Sequence, residues 1–216
     1  LSVTIPAFLL STVIGIALGI LSATHRGRKL DSIISVFANL GIATPSFWVG
    51  MLLVLILSLK LKILPVQGYT PLTEDFTLGL KKLVMPVIVL SLGQIASKTR
   101  QTRSAMLEVI SQDYIRTARS KGLKEKTVIY GHALKNAMIP IVTLLGMSIG
   151  GLVGGTVIIE NLFVIPGMGA LMMTAIINKD YMVVQNVVFV IALFVMLCNL
   201  LVDILYGYID PRIRIE

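Results

Sequence analysis

Long apolar stretches alternate along the chain with short segments in which charged and turn-forming residues collect. The apolar stretches run from about 3 to 23, 38 to 60, 83 to 105, 137 to 158 and 183 to 206. A helix needs about 20 mostly apolar residues to cross the hydrocarbon core of a bilayer, and all five meet that length. The pattern predicts an all-α polytopic membrane protein with five transmembrane helices.

Two of these regions carry internal punctuation. Thr44-Pro45, after Asn39 and Gly41, frees a backbone carbonyl inside the second stretch and predicts a kink or a break there, with residues 31–43 as a separate amphipathic helix leading in. Residues 61–82, with Pro65, Gly68 and Pro71, read as an irregular outer loop. In 159–182 a Pro166-Gly167 turn precedes a short apolar run, which is expected to dip into the bilayer without crossing it.

Composition narrows the class further. Of 216 residues 56% are hydrophobic and 14% charged, against roughly 25% charged in soluble domains. That excludes an ordinary soluble globule, a disordered chain, a collagen and a disulfide scaffold. The net charge of +8 is unevenly placed. With alternate loops assigned to opposite sides, one side holds Arg26, Arg28, Lys29, Lys98, Arg100, Arg103, the cluster from Arg116 to Lys135, Arg212 and Arg214. The other holds only Lys60, Lys62, Lys81, Lys82 and Lys179. The positive-inside rule puts the loops at 24–31 and 106–136 and the C-terminal tail in the cytoplasm, with Leu1 outside. Leu1 enters an apolar stretch at once, so a further N-terminal span is expected, giving six with both termini inside. Pro6, Gly15 and Gly19 argue against a cleaved signal peptide. The basic loops face anionic lipid and protein, and no aromatic interleaving suggests nucleic acid.

Candidate chemistry is sparse. Cys198 stands alone, and His25 and His132 lie far apart, so neither a disulfide nor a metal cluster can be assembled. Gly146, Gly150 and Gly154, with Gly151 and Gly155 in a second register, give the fourth span a bare face for close helix packing, static or sliding. The same glycines create Gly146-Met147-Ser148-Ile149-Gly150, a G-x-S-x-G match that would suggest an intramembrane serine protease. No histidine lies in a span and no strand-to-helix elbow surrounds Ser148. Gln94, Asn186, Asn199 and Asp203 are the clearest polar residues within spans, and Asp203 is expected to be structural. Scarce paired ionisable groups count against an ion-coupled secondary carrier or channel, the alternative from another class.

The 106–136 loop carries the most information. Ser111 or Asp113 could cap a short helix, Tyr114, Ala118 and Gly122 recur at i, i+4 and i+8, and Gly122 could end it. An exposed helix with a small-residue stripe between cationic flanks is suited to being gripped, the bland alternative being a solvated basic loop. Thr117-Ala118-Arg-Ser-Lys-Gly122 resembles the A-x-x-x-G core of the EAA coupling loop of ABC importer permeases. Arg116 and Thr117 take the usual Glu-Ala places and Lys135 a usual proline's, as in the peptide and nickel branch, to which Asp113–Gly122 and His132–Pro140 are similar. Glu160 to Gly169, Asp180-Tyr181, Asn199 to Arg212 and Thr44 to Trp48 are also similar to that branch. Met182 departs from its common proline. The chain looks most like the first permease subunit of dipeptide and oligopeptide systems, with the N-terminal span missing.

That resemblance implies a type I ABC importer permease of MetI-like fold across residues 1–216. It also implies a homologous second permease, two cytoplasmic ABC ATPases, an extracellular or periplasmic binding protein and a place in the cytoplasmic membrane. ATPase coupling is expected at Asp113, Tyr114, Arg116, Thr117, Ala118, Arg119, Gly122 and Leu123. No G-x-x-x-x-G-K-(S/T) occurs, so this chain is expected to bind no cofactor and not to be an enzyme, ATP and Mg²⁺ being used by partner subunits. Peptides are the expected cargo, with nickel or another small solute as the alternative, and no substrate-binding residue is assigned.

Overall fold

The structure is a computed structural model that describes residues 1–209; the side-chain surroundings of 147, 149–155, 202–203 and 205–209 lie outside the description. Eight α-helices follow one another among the described residues: α1 (Thr4–Thr24), α2 (Lys29–Ala43), α3 (Ser46–Leu53), α4 (Phe76–Ile110), α5 (Asp113–Ser120), α6 (Leu134–Phe163), α7 (Met168–Ile177) and α8 (Tyr181–Ile209). Val54–Lys60 continues α3 as a π-helical turn, and Thr127–Ala133 leads into α6 in the same way.

The central rod is α4, whose 35 residues reach about 50 Å at the usual helical rise, well beyond a hydrocarbon core of about 30 Å. Its most extensive neighbour is α1, and the two run parallel because glycines on α1 leave room for backbone. A Cβ on Gly15 would stand 2.7 Å from Lys98 Cβ, and one on Gly19 would stand 2.8 Å from the Thr99 carbonyl oxygen. Small residues permit such approach in lipid, where dispersion contact rather than hydrophobic burial holds helices together. α6 packs antiparallel to this pair, and α8 packs on α6 and α7.

The second apolar stretch is not one straight span. α2 and the helix from Ser46 to Lys60 meet at 99° across Thr44-Pro45, where Thr44 and Pro45 are both extended. Proline lacks the N–H that would continue α2 and disfavours helical geometry in the residue before it, so the break follows from that dipeptide. The expected re-entrant segment is also bent, by 81° between Thr156–Phe163 and Met168–Ile177. Among the described residues four helices are long and apolar enough to cross a membrane, or up to six if each bent pair counts as one span.

The second bend has a complete local explanation. α6 ends on Val164 in the left-handed region (φ 53°), and Ile165 N–H donates to the Glu160 carbonyl at 2.8 Å, closing a Schellman-type cap. The Glu160 side chain then reaches over the turn and accepts from the Ala170 N–H at 3.0 Å, at the start of α7. A side chain on Gly167 would run into that carboxylate, and one on Gly169 would meet Val157 Cα at 2.7 Å. Glu160, Pro166, Gly167 and Gly169 therefore form one device for folding the chain back.

Candidate coupling surface

α5 is short and strongly two-faced. Ile115 and Ala118 are buried at 0% and 8% exposure, while Asp113, Tyr114, Arg116, Thr117, Arg119, Gly122 and Leu123 are exposed. The buried pair joins a cluster that includes Ala23 of α1, Ala105 and Met106 of α4, Val128 and Ile129 of the π turn, and Ala133, Ala137 and Ile141. A helix of eight residues has little stability of its own, so its position is fixed by that packing. α5 is thus seated chiefly on the Thr127–Ala133 turn, in a cluster shared with the ends of α1, α4 and α6, rather than hanging free.

This corrects the expected face. Ala118 does not share an exposed stripe with Tyr114 and Gly122; it turns inward beside Ile115. The caps also differ from expectation. Gln112 occupies the N-cap without a side-chain bond, Ser111 Oγ donates back to the Glu108 carbonyl at 2.7 Å, and Asp113 sits in the first turn, 3.7 Å from Arg116. Gly122 does follow the helix in the left-handed region (φ 76°), and a Cβ there would meet nothing within 4 Å. Its need for glycine is conformational, not steric.

Arg119 closes the loop that Gly122 turns. Its Nη2 and Nε lie 2.8 and 3.2 Å from the two Glu125 carboxylate oxygens, a bidentate pair that holds Glu125 below the usual carboxylate range. Salt screens such an exposed pair, so it shapes the loop more than it stabilises the fold. The surface left is cationic and aromatic, with a shallow apolar patch at Tyr114 and Leu123.

A second polar assembly braces the same end of the bundle. Asp31 Oδ1 and Oδ2 accept from Arg103 Nε and Nη2 at 2.7 and 2.9 Å, Ser22 Oγ donates to Oδ1 at 2.6 Å, and Gly27 N–H donates to Oδ2 at 3.0 Å. One carboxylate therefore ties α1, the α1–α2 turn, α2 and α4. Periodicity gave no warning of it, because Asp31 and Arg103 are 72 residues apart.

Lys98 also departs from expectation. Counted from sequence as a loop cation, it is 5% exposed between α1 and α4. Its Nζ donates to Ser11 Oγ and Thr12 Oγ1, both at 2.8 Å, and lies 4.1 Å from the Phe8 ring centroid. Ser11 in turn donates to Gln94 Oε1 at 3.2 Å. The Gly15 notch admits the lysine stem, and hydroxyls and a ring face replace the missing counter-ion.

The remaining sequence candidates separate cleanly. Gly146 is buried on α6, whereas the surroundings of Gly150, Gly151, Gly154 and Gly155 lie outside the described residues, as does the Asp203 side chain. Ser148 Oγ donates to the Leu145 carbonyl of its own helix at 2.7 Å, an ordinary helical back-bond that removes the nucleophile reading. Asn186 bonds the Met182 carbonyl in the same way. No group of histidine, cysteine and carboxylates suited to a metal occurs among the described residues.

Membrane-length helices that seat a short cationic helix at one end define a transport permease domain. The chain belongs to the family of binding-protein-dependent transport system inner membrane components, whose pattern it matches over residues 15–215. It is 39% identical, over 99% of its length, to the probable peptide ABC transporter permease protein y4tP of Sinorhizobium fredii, of which it covers 68%. It is 43% identical over 95% of its length to a putative peptide permease of Brucella suis, covering 65% of that protein. Against the oligopeptide transport system permease protein AppB of Bacillus subtilis the identity is 39% over 95% of this chain and 66% of the relative. The chain thus spans about two thirds of the length of these relatives. Its fold is similar to a chain of the MetNI methionine ABC transporter, inward-facing in the native CY5 crystal form, with a TM-score of 0.76 at 17% identity over 96% of this chain and 91% of that one. The all-α, MetI-like fold follows from that match.

Proposed function

We propose that the chain is the peptide-carrying permease subunit of an ATP-driven importer and that α5 is its coupling helix. The observation that carries the proposal is the seating of α5: Ile115 and Ala118 pack it chiefly on the Thr127–Ala133 turn, within a buried cluster that continues into α1, α4 and α6, while its outer face stays open for a partner. Force applied to that face moves the ends of three long helices together. In this reading the partners are two cytoplasmic ATPases, a homologous second permease and an external binding protein. ATP and Mg²⁺ are used by the ATPases, and the α5 end and the C-terminus face the cytoplasm. Asp113, Tyr114, Arg116, Thr117, Arg119 and Leu123 meet the ATPase, Ala118 anchors the helix from behind, and Gly122 sets its exit. Gly146, buried on α6, belongs to the close-packing face of that helix in this reading. Nucleotide-driven closure of the ATPases then shifts the bundle between inward-open and outward-open arrangements, by as much as the ATPases differ in affinity for the two.

The test is peptide uptake and ATP hydrolysis by the assembled importer in proteoliposomes. Gly122→Val places a β-branched residue at φ 76° and is expected to abolish uptake while basal hydrolysis continues, or to block ATPase association. Gly122→Asn, which tolerates that region, is expected to retain both. Normal coupled uptake by Gly122→Val would overturn the assignment. So would labelling of Arg119→Cys from the external medium in intact cells.

A further inference from the structure

Along the second half of α4, Gly93, Ser97, Arg100 and Ser104 fall at i, i+4, i+7 and i+11, with Gln101 and Glu108 beside them, so they share one helical face. That face is open. Gly93, Arg100, Ser104 and Glu108 are exposed, Ser97 and Gln101 are half-exposed, and a Cβ on Gly93 would meet nothing within 4 Å. The opposite side of this stretch is occupied: α1 covers Lys98, Thr99 and Thr102, α2 covers Ala96, and Asp31 holds Arg103. Arg100 makes no ion pair among the described residues, unlike Arg103 one turn further on.

Gly93, Ser97, Arg100 and Ser104 fall inside the apolar stretch 83–105, where an exposed polar face is costly against lipid. Against an apolar partner helix it would strand a guanidinium without a counter-ion. Water satisfies it, and so does a ligand with amides along its length and a carboxylate at its end. We infer that this face of α4 is a wall of the hydrated translocation path and that Arg100 receives the terminal carboxylate of a passing peptide, with Ser97, Gln101 and Ser104 bonding its backbone amides. The fork of a guanidinium matches a carboxylate bidentately. This rests on the peptide-importer reading above.

The assembled importer in proteoliposomes tests it in a Cys198→Ser background. Ser97→Cys and Ser104→Cys are expected to react with a charged, membrane-impermeant methanethiosulfonate and to lose uptake on reaction. Leu193→Cys, on the apolar surface of α8, should not react. Arg100→Gln is expected to lower uptake of a free-carboxylate tripeptide about tenfold or more, and Arg100→Lys, which keeps the charge but not the fork, to fall between that variant and the parent. ATP hydrolysis should persist in both. If Ser97→Cys and Ser104→Cys resist the charged reagent but take an uncharged maleimide, the face is covered by lipid or a partner helix and the inference fails. It fails equally if Arg100→Gln transports like the parent protein. If the parent importer, with Cys198 intact, moves no peptide at all, the peptide reading itself has failed instead.

Discussion

Replacing Asp31 with alanine removes one acceptor and strands four donors. Ser22 is fully buried, so its hydroxyl is left unsatisfied at a cost of about 1 kcal/mol. Breaking a buried ion pair costs about 3 to 5 kcal/mol, but the Arg103 side chain is 30% exposed and recovers part of its hydration, which brings that share to about 2 kcal/mol. The total of about 3 kcal/mol corresponds to roughly 6 to 12 °C in the midpoint of a domain this size. Thermal challenge of the detergent-solubilised importer, followed by size exclusion of what remains assembled, reads that shift as an operational midpoint. Because most of the loss comes from the stranded guanidinium, Asp31→Ala with Arg103→Gln should be clearly more stable than the sum of the two single changes. A change of less than about 1 °C for Asp31→Ala would refute the reasoning. So would simple additivity of the two substitutions.

Three further outcomes follow from named contacts. Gly19→Val should lower the same midpoint sharply, by about 1 to 3 kcal/mol of overpacking, since even a Cβ there would lie 2.5 Å from Thr102 Cβ and 2.8 Å from a backbone oxygen, whereas Gly93→Ala should be neutral to slightly stabilising. Val164→Gly should stabilise by about 1 kcal/mol and raise the midpoint by about 2 to 4 °C, because a β-branched, exposed residue holds φ 53° at the end of α6. Glu125→Gln should change stability by less than about 1 kcal/mol at neutral pH, and any difference from the parent should vanish in high salt or as the pH falls through the depressed Glu125 titration, where the parent loses the same pair.

What the sequence made legible was whatever a one-dimensional pattern records. Helix length and apolarity located α1, α4, α6 and α8, and Thr44-Pro45 and Pro166-Gly167 marked the two breaks, because proline acts on its immediate neighbours. Gly122 was readable as a helix end for the same reason. Long-range polar pairing was not readable. Asp31 was only the first residue of the predicted helix 31–43 until α1, α2 and α4 were brought together, and Lys98 looked like a cytoplasmic cation until the Gly15 notch drew it between two helices. Ala118 was misplaced because small residues at i and i+4 do not say which side of the helix they face. The hydrophobic neighbour Ile115 was the available signal, since it sits three residues before Ala118 and must be buried.

The placement of α5 bears on how a push could travel. A helix tethered only by its loops would rotate or slide under load and dissipate the displacement before reaching the spans. Here Ile115 and Ala118 share one close-packed cluster with Ala105 and Met106 at the end of α4 and with Ala133, Ala137 and Ile141 at the start of α6. Close-packed interiors deform little, so displacement of α5 carries both helix ends with it. Asp31 couples α1 and α2 to α4 at the same level, and the Gly15 and Gly19 contacts hold α1 to α4 along its length. α1, α2 and α4 are therefore tied into one packed unit at this end. The break at Thr44-Pro45 is where the backbone can absorb the difference between that unit and its neighbours, whereas the Glu160 carboxylate holds the Val164–Gly167 turn closed. A joint at Thr44-Pro45 and a packed α5 are complementary requirements of the alternating access proposed above.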